Sequence, residues 1–315
     1  MKKIFITCIL LLFISIIPEG MGMKNQGTET GKTPKLNQLS AEEKRVILNK
    51  GTDMPFKGKY DSFFEPGYYT CRQCGALLYR SDDKFKGHCG WPSFEDALPD
   101  AVKKTKDADG IRTEITCTHC GGHLGHIFEG ENLTPKSTRH CVNSTSLVFE
   151  PANSEKFGRA IFAGGCFWGV EYYMLKAPGV LAVTPGYAGG KTEYPDYEEV
   201  CAGKGGHVEA VEIVYDREKT DFEKLAKLFM EIHDPTQLNR QGPDIGFQYR
   251  SVIFYFDDAQ KKTAVKLIEI LKSKGLNIAT TVEPAKKFWP AEEYHRNYYD
   301  RKKSLPYCHG YTKRF

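Results

Sequence analysis

Glu150-Pro-Ala-Asn-Ser-Glu-Lys-Phe157 divides the chain. The stretch is polar with an early proline, which breaks regular pairing, and residues 151–157 read as a linker. Upstream, from residue 36 to 150, the sequence is rich in Gly, Pro and Cys. A Ser40-Ala-Glu-Glu43 capping box opens a short helix to about residue 49, and strand-like pieces follow at 67–70, 110–116 and 144–149. Long helical periodicity is missing, so this half is mainly β. Downstream the pattern changes. Strands at 159–163, 208–215, 251–256 and 278–282 mix with helices at 166–176, from a Thr220/Glu223 capping box to 232, and at 259–274. That mixture predicts an α+β sandwich over 158–315. Two domains without an internal repeat suit a chain of 315 residues.

Composition excludes several function classes. A hydrophobic fraction of 40% with 27% charge excludes disorder and a polytopic membrane protein, and a net charge of +4 argues against a nucleic-acid partner. Lys2 and Lys3 precede an apolar run from Ile4 to Ile17, and Pro18, Gly20 and Gly22 follow. Residues 1–22 therefore read as a secretory signal, with 23–35 a flexible lead-in. The rival is a retained anchor, but that run as a helix covers roughly 21 Å against a hydrocarbon core of roughly 30 Å. Export to a periplasm or cell envelope is expected, with no membrane span after cleavage. Cysteines kept there are paired, metal-bound or catalytic.

Cys71-Arg-Gln-Cys74 and Cys117-Thr-His-Cys120 can offer two thiolates each to one ion, a tetrahedral set that zinc favours for structural work. Two disulfide-forming redox pairs are the alternative, disfavoured because a redox Cys-x-x-Cys comes singly at a helix start. Cys89 lies in His88-Cys-Gly-Trp91-Pro-Ser-Phe94, and Cys141 in Arg139-His-Cys141-Val-Asn143-Ser. A thiol beside Arg139 has its thiolate favoured, and a second thiol can capture an oxidised first one. The pair His123 and His126, before Phe128, reads on its own as a core or metal-binding pair.

In the second half, Gly164-Gly-Cys166-Phe167-Trp168-Gly follows a strand and opens a helix. A helix N-terminus stabilises a thiolate, and Phe167 and Trp168 offer an apolar wall for a methyl group. A buried, inert cysteine is the alternative reading of Cys166, disfavoured by the glycine turn and the paired aromatics. Glu209 lies within an apolar strand, and if it faces a dry pocket it can donate a proton. If it faces solvent it does nothing, and its spacing from Glu212 leaves both open.

The first-half strings jointly resemble B-type methionine sulfoxide reductases across residues 36–150, and those of the second half resemble the A type across 158–315. The A-type likeness rests on Gly-Cys166-Phe-Trp-Gly-Val-Glu, Gly186-Tyr-Ala-Gly-Gly190, Gly206-His-Val-Glu209-Ala-Val, His233-Asp-Pro235 and Gln248-Tyr249-Arg-Ser251. The resemblance implies Cys141 as nucleophile and Cys89 as resolving thiol, with His123, His126, Trp91, Asn143, Phe128 and Arg139 about the substrate. For the A type it implies Cys166 as nucleophile, Cys308 as resolving thiol, Glu209 as proton donor, and Tyr197, Tyr249 and Asp244 around it. It further implies one structural zinc on Cys71, Cys74, Cys117 and Cys120, no organic cofactor, oxidised proteins as substrates, a thioredoxin-like reductant, and a monomer. His140 departs from the Tyr usual before the nucleophile. Cys201 reads as a structural cysteine. A general disulfide oxidoreductase is disfavoured because neither proposed pair has Cys-x-x-Cys spacing, and a zinc-dependent binding module would show no sulfoxide-dependent disulfide.

Overall fold

The computed structural model describes residues 35–107 and 110–315. The expected signal, and the lead-in up to residue 34, lie outside the described residues. Helix α1 (Ala41–Ile47) starts at the anticipated box: Ser40 Oγ accepts from the Glu43 amide at 3.2 Å, and Glu43 accepts from the Ser40 amide at 2.8 Å. The strands of the first half are β1 (Gly67–Cys71), β2 (Leu77–Arg80), β3 (Lys84–Phe85), β4 (Ser93–Phe94), β5 (Val102–Lys106), β6 (Thr113–Cys117), β7 (His123–Glu129), β8 (Thr138–Val142) and β9 (Leu147–Pro151). Among the described residues they form an antiparallel sheet in the order β2-β1-β9 and a second ordered β3-β4-β8-β7-β6-β5. Two expected strands shift. The piece at 110–116 pairs only from Thr113, and the piece at 144–149 opens as a 3-10 turn before β9. Turn-forming Asn143 and Ser144 overrode the apolar run there.

The second half comprises β10 (Phe157–Ala163), α2 (Phe167–Met174), β11 (Val180–Ala188), α3 (Tyr197–Cys201), β12 (Val208–Asp216) and α4 (Phe222–Ile232). After these come β13 (Arg240–Gln241), β14 (Asp244–Ile245), β15 (Val252–Tyr255), α5 (Asp258–Ser273), β16 (Thr281–Pro284), β17 (Trp289–Pro290) and α6 (Tyr298–Lys302). A sheet ordered β16-β15-β10-β12-β11-β17 is antiparallel except at β15–β16. The capping box expected at Thr220 and Glu223 is absent: Asp221 is the N-cap of α4 and accepts from the Lys224 amide at 2.8 Å. A charged acceptor suits the positive helix end better than a hydroxyl. The strand expected at 278–282 begins at Thr281.

Strand alternation sorts the β12 side chains between two environments. Val211, Ile213 and Tyr215 join the core with Phe229 and Leu267 of the helices. Val214 instead packs with Phe157, Ala182, and Tyr68 and Leu98 of the first half. Sheet faces covered on both sides explain why β12 is buried over nearly its whole length.

The same covered face holds Glu212, fully buried, which receives both Arg80 from β2 and Arg159 from β10. Arg80 also chelates Asp83 through two 2.8 Å bonds, and Arg159 reaches Asp82 at 2.9 Å. Removing one member of a buried ion network leaves its partners charged in a dry place. Arg80→Met should therefore cost about 3–5 kcal/mol in urea denaturation of the full chain. A cost under about 1 kcal/mol, the range of exposed pairs, would mean that Arg159 alone satisfies Glu212. Among the described residues no helix is long and apolar enough to cross a membrane.

Candidate active sites and metal centre

Cys71 and Cys117 each end a strand, and each begins the same turn. Gly75 donates to the Cys71 carbonyl and Gly121 to the Cys117 carbonyl, both at 2.8 Å. The turns bring the four sulfurs of Cys71, Cys74, Cys117 and Cys120 within 4.8 Å of one another, with Cys71–Cys120 at 3.6 Å and Cys74–Cys117 at 3.7 Å. Tetrahedral thiolates on an ion at a typical metal–sulfur length stand about 3.8 Å apart. The set fits a metal ion.

The second centre is built on β8, which runs between β4 and β7 so that Cys141 faces Ser93 on one side and His126 on the other. Gly125 on β7 makes this possible. Its φ is +152°, and a Cβ there would stand 2.1 Å from the Cys141 carbonyl oxygen. Alternation places Arg139 beside Cys141 and turns His140 to the opposite face. There His140 is buried, 3.3 Å from the Tyr79 hydroxyl, and burial pushes its pKa down to about 4. His140 is therefore neutral and does not share a face with Cys141.

Cys141 lowers the Cys89 thiol to about 5 against the opposing effect of burial, with help from Ser93 and Arg139. Cys89, with burial, pushes Cys141 up. The pair therefore carries one proton and one negative charge at neutral pH. Arg139 Nη1 stands 3.3 Å from Cys89 Sγ, and its other nitrogens are held by Glu131 at 2.6 and 2.8 Å, over the Phe128 ring. His123 bonds Glu114 at 2.8 Å, and Glu114 in turn takes Lys50 at 2.7 Å; His126 bonds Asp107 at 2.9 Å. Burial lowers the His123 pKa, with Glu114 opposing. Trp91 donates to the Asp53 carbonyl at 3.0 Å. Asn143 spends its side chain on the backbone, accepting from Asp53 and donating to Leu124. Glu114 and Glu131 escaped the sequence reading. Their one signal was a carboxylate near imidazole or guanidine in the folded register, which the linear order does not display.

The third centre opens at Cys166, the N-cap residue of α2. Glu209, 1% exposed, crosses from β12 and accepts from the Phe167 amide at 3.0 Å. Burial lifts its pKa to about 8, so the carboxyl is protonated at neutral pH. Tyr197 and Tyr249 are pushed upward first by burial and then by the negative charge of an ionised Glu209. Asp244 sits further out and accepts from the Tyr307 hydroxyl at 2.9 and 3.1 Å. Cys308 and Cys166 lie in one core cluster, where Cys166 lowers Cys308 to about 6 and Cys308, with burial, raises Cys166.

Of the two aromatics after Cys166, Phe167 is buried in the same core cluster as Cys166, its ring centroid 4.9 Å from that of His295. Trp168 remains partly exposed and stacks on Tyr298 with ring centroids 3.7 Å apart, while its Nε1 donates to His295 Nδ1 at 3.1 Å. Glu292 accepts from the Tyr187 hydroxyl at 2.8 Å and the Tyr197 amide at 3.0 Å. Residues 292–298 were missed for want of any motif. Cys201 is exposed at the end of α3 instead of packing in the core.

Comparison with known proteins agrees with this division. Residues 39–151 match the family described as SelR domain, and residues 158–314 match Peptide methionine sulfoxide reductase. Peptide methionine sulfoxide reductase MsrA of Nautilia profundicola is 51% identical over 150 residues, 48% of this chain and 87% of that protein. The protein of the same name from Sulfolobus acidocaldarius is 45% identical, over 47% of this chain and 85% of its own length. A crystal structure of Mxr1 from Saccharomyces cerevisiae in reduced form is 36% identical with a TM-score of 0.48, covering 50% of this chain and 94% of that one. With 51% identity over most of a relative's length, the chain belongs to the peptide methionine sulfoxide reductases, with a SelR domain ahead of its A-type domain.

Proposed function

We infer that the chain reduces methionine sulfoxide in oxidised proteins, the R epimer in the SelR domain and the S epimer in the A-type domain. Each domain uses its own pair of cysteines. What supports the reading most is that two thiol pairs, each far apart in sequence, come close enough to shift each other's ionisation, each with a cation or an acid beside it.

A sulfoxide sulfur is a poor electrophile until its oxygen is protonated, so each site needs a thiolate and an acid together. In the A-type domain the Cys166 proton passes to Cys308, and Glu209, neutral near pH 7, gives its own proton to the sulfoxide oxygen while Cys166 attacks sulfur; Trp168 and Tyr298 hold the methyl group. In the SelR domain the shared proton passes to Cys89, leaving the charge on Cys141 under Arg139, and His123 and His126 serve the oxygen. Methionine leaves, and the attacking cysteine becomes a sulfenic acid. Cys89 or Cys308 then closes a disulfide with loss of water, and a thioredoxin-type dithiol reduces it.

Zinc at the four-cysteine cluster has a purely structural part: it would tie the turns after β1 and β6 together. Export through residues 1–22 belongs to the same reading, supported by the basic start and the apolar run. Purified exported chain should contain one zinc, begin beyond residue 18 by mass, and reduce both separated epimers with a dithiol. Inactivity on both epimers would overturn the function; absence of zinc, or an intact Met1, would overturn only the corresponding part.

A further inference from the structure

Cys308 does not face Cys166 unaided. His309, buried beside it, places Nδ1 3.1 Å from Cys308 Sγ and Nε2 2.7 Å from the Gly164 carbonyl oxygen. A carbonyl only accepts, so Nε2 carries the hydrogen there, and Nδ1 is the ring nitrogen turned to the thiol. The ring is wedged in place. A Cβ on Gly169, in the first turn of α2, would stand 2.1 Å from Nδ1. The tail is anchored on both sides, with Gln241 donating to the Cys308 carbonyl at 3.1 Å and the Gly310 amide to Ile232 at 3.0 Å.

Closing the disulfide requires a base on one sulfur and an acid at the other. The thiol must lose its proton to attack, and hydroxide must gain one to depart. We propose that His309 is a catalytic residue of this second step. Its Nδ1 takes the Cys308 proton as Sγ attacks the sulfenic sulfur of Cys166, and the imidazolium returns that proton to the departing oxygen. An S–S bond forms, the S–O bond breaks, and one water leaves. Cys308 is oxidised as the sulfenic acid is reduced, so no outside reductant enters. The assignment rests on Cys166 and Cys308 acting as proposed above. The lowered pKa of Cys308, caused first by Cys166 and also by His309, is consistent with it.

The test is a single turnover of the full chain on the S epimer without reductant, in His309→Gln and His309→Ala. Gln keeps a donor for Gly164 but has no basic nitrogen. Both variants should release the first methionine, with loss of one thiol, within about twofold of the unaltered rate, while loss of the second thiol slows by about 10²-fold or more. A cyclic diketone that captures sulfenic acids should then mark Cys166. Loss of both thiols keeping pace with methionine release would overturn the proposal, as would an equal slowing of both steps in both variants, which marks a scaffold residue. If the unaltered chain releases no methionine, the functional reading itself fails and takes this inference with it.

Discussion

Cys166→Ser should eliminate reduction of the S epimer and leave the R epimer at its unaltered rate, and Cys141→Ser should do the reverse. The exchange is nearly isosteric, so burial and hydrogen bonding about either position change little. What disappears is the nucleophile: a serine hydroxyl is essentially never ionised near neutral pH without a strong base, and Glu209 is an acid there. A loss of at least about 10⁴-fold in kcat/KM for one epimer is the expected size. The two sites share no sulfur, and they are built on different sheets. Assays on separated epimers read the result directly. If either single change removes both activities, the sites are not independent.

Glu209→Gln should separate activity from stability. The S-epimer rate should fall by about 10²–10⁴-fold, because the amide can still accept from the Phe167 amide but cannot supply a proton. Stability should move the other way, and its sign follows from the pKa. Folding raises Glu209 from the usual 4.5 to about 8. Its favourable contribution is complete below pH 4.5 and is lost as pH rises to about 8. At pH 7 the unfolded chain ionises this carboxyl and the folded chain does not, a cost of about 3 kcal/mol. Glutamine never ionises, so the variant should be more stable by up to that amount at pH 7 and equal to the parent below pH 4.5. The unaltered S-epimer rate should also decline above about pH 8 as the acid ionises. A Gln variant retaining S-epimer activity within threefold would remove Glu209 from the chemistry.

Much of this site was legible in the linear order, and the misses share a cause. Cys166 at a helix start, Ser40 at a capping box and both Cys-x-x-Cys turns were readable because each depends on residues a few positions apart. Thr220 misled because Asp221, its neighbour, is an equally good cap and carries charge. Glu209 and Glu212 looked alike in one apolar strand, yet one became an acid against α2 and the other an anchor for two arginines.

The sequence by itself therefore determined the chemistry on offer: which thiols, which acids, and the turns that hold four sulfurs ready. Only the tertiary structure decided which thiol meets which, that His140 turns from Cys141 while Arg139 does not, and that His309 reaches Cys308. The reason is that a side chain's charge and reach are local properties, whereas its burial and partners depend on which strands lie alongside. Strand neighbours are set by packing across the whole core, and the order of residues along the chain does not contain them in readable form.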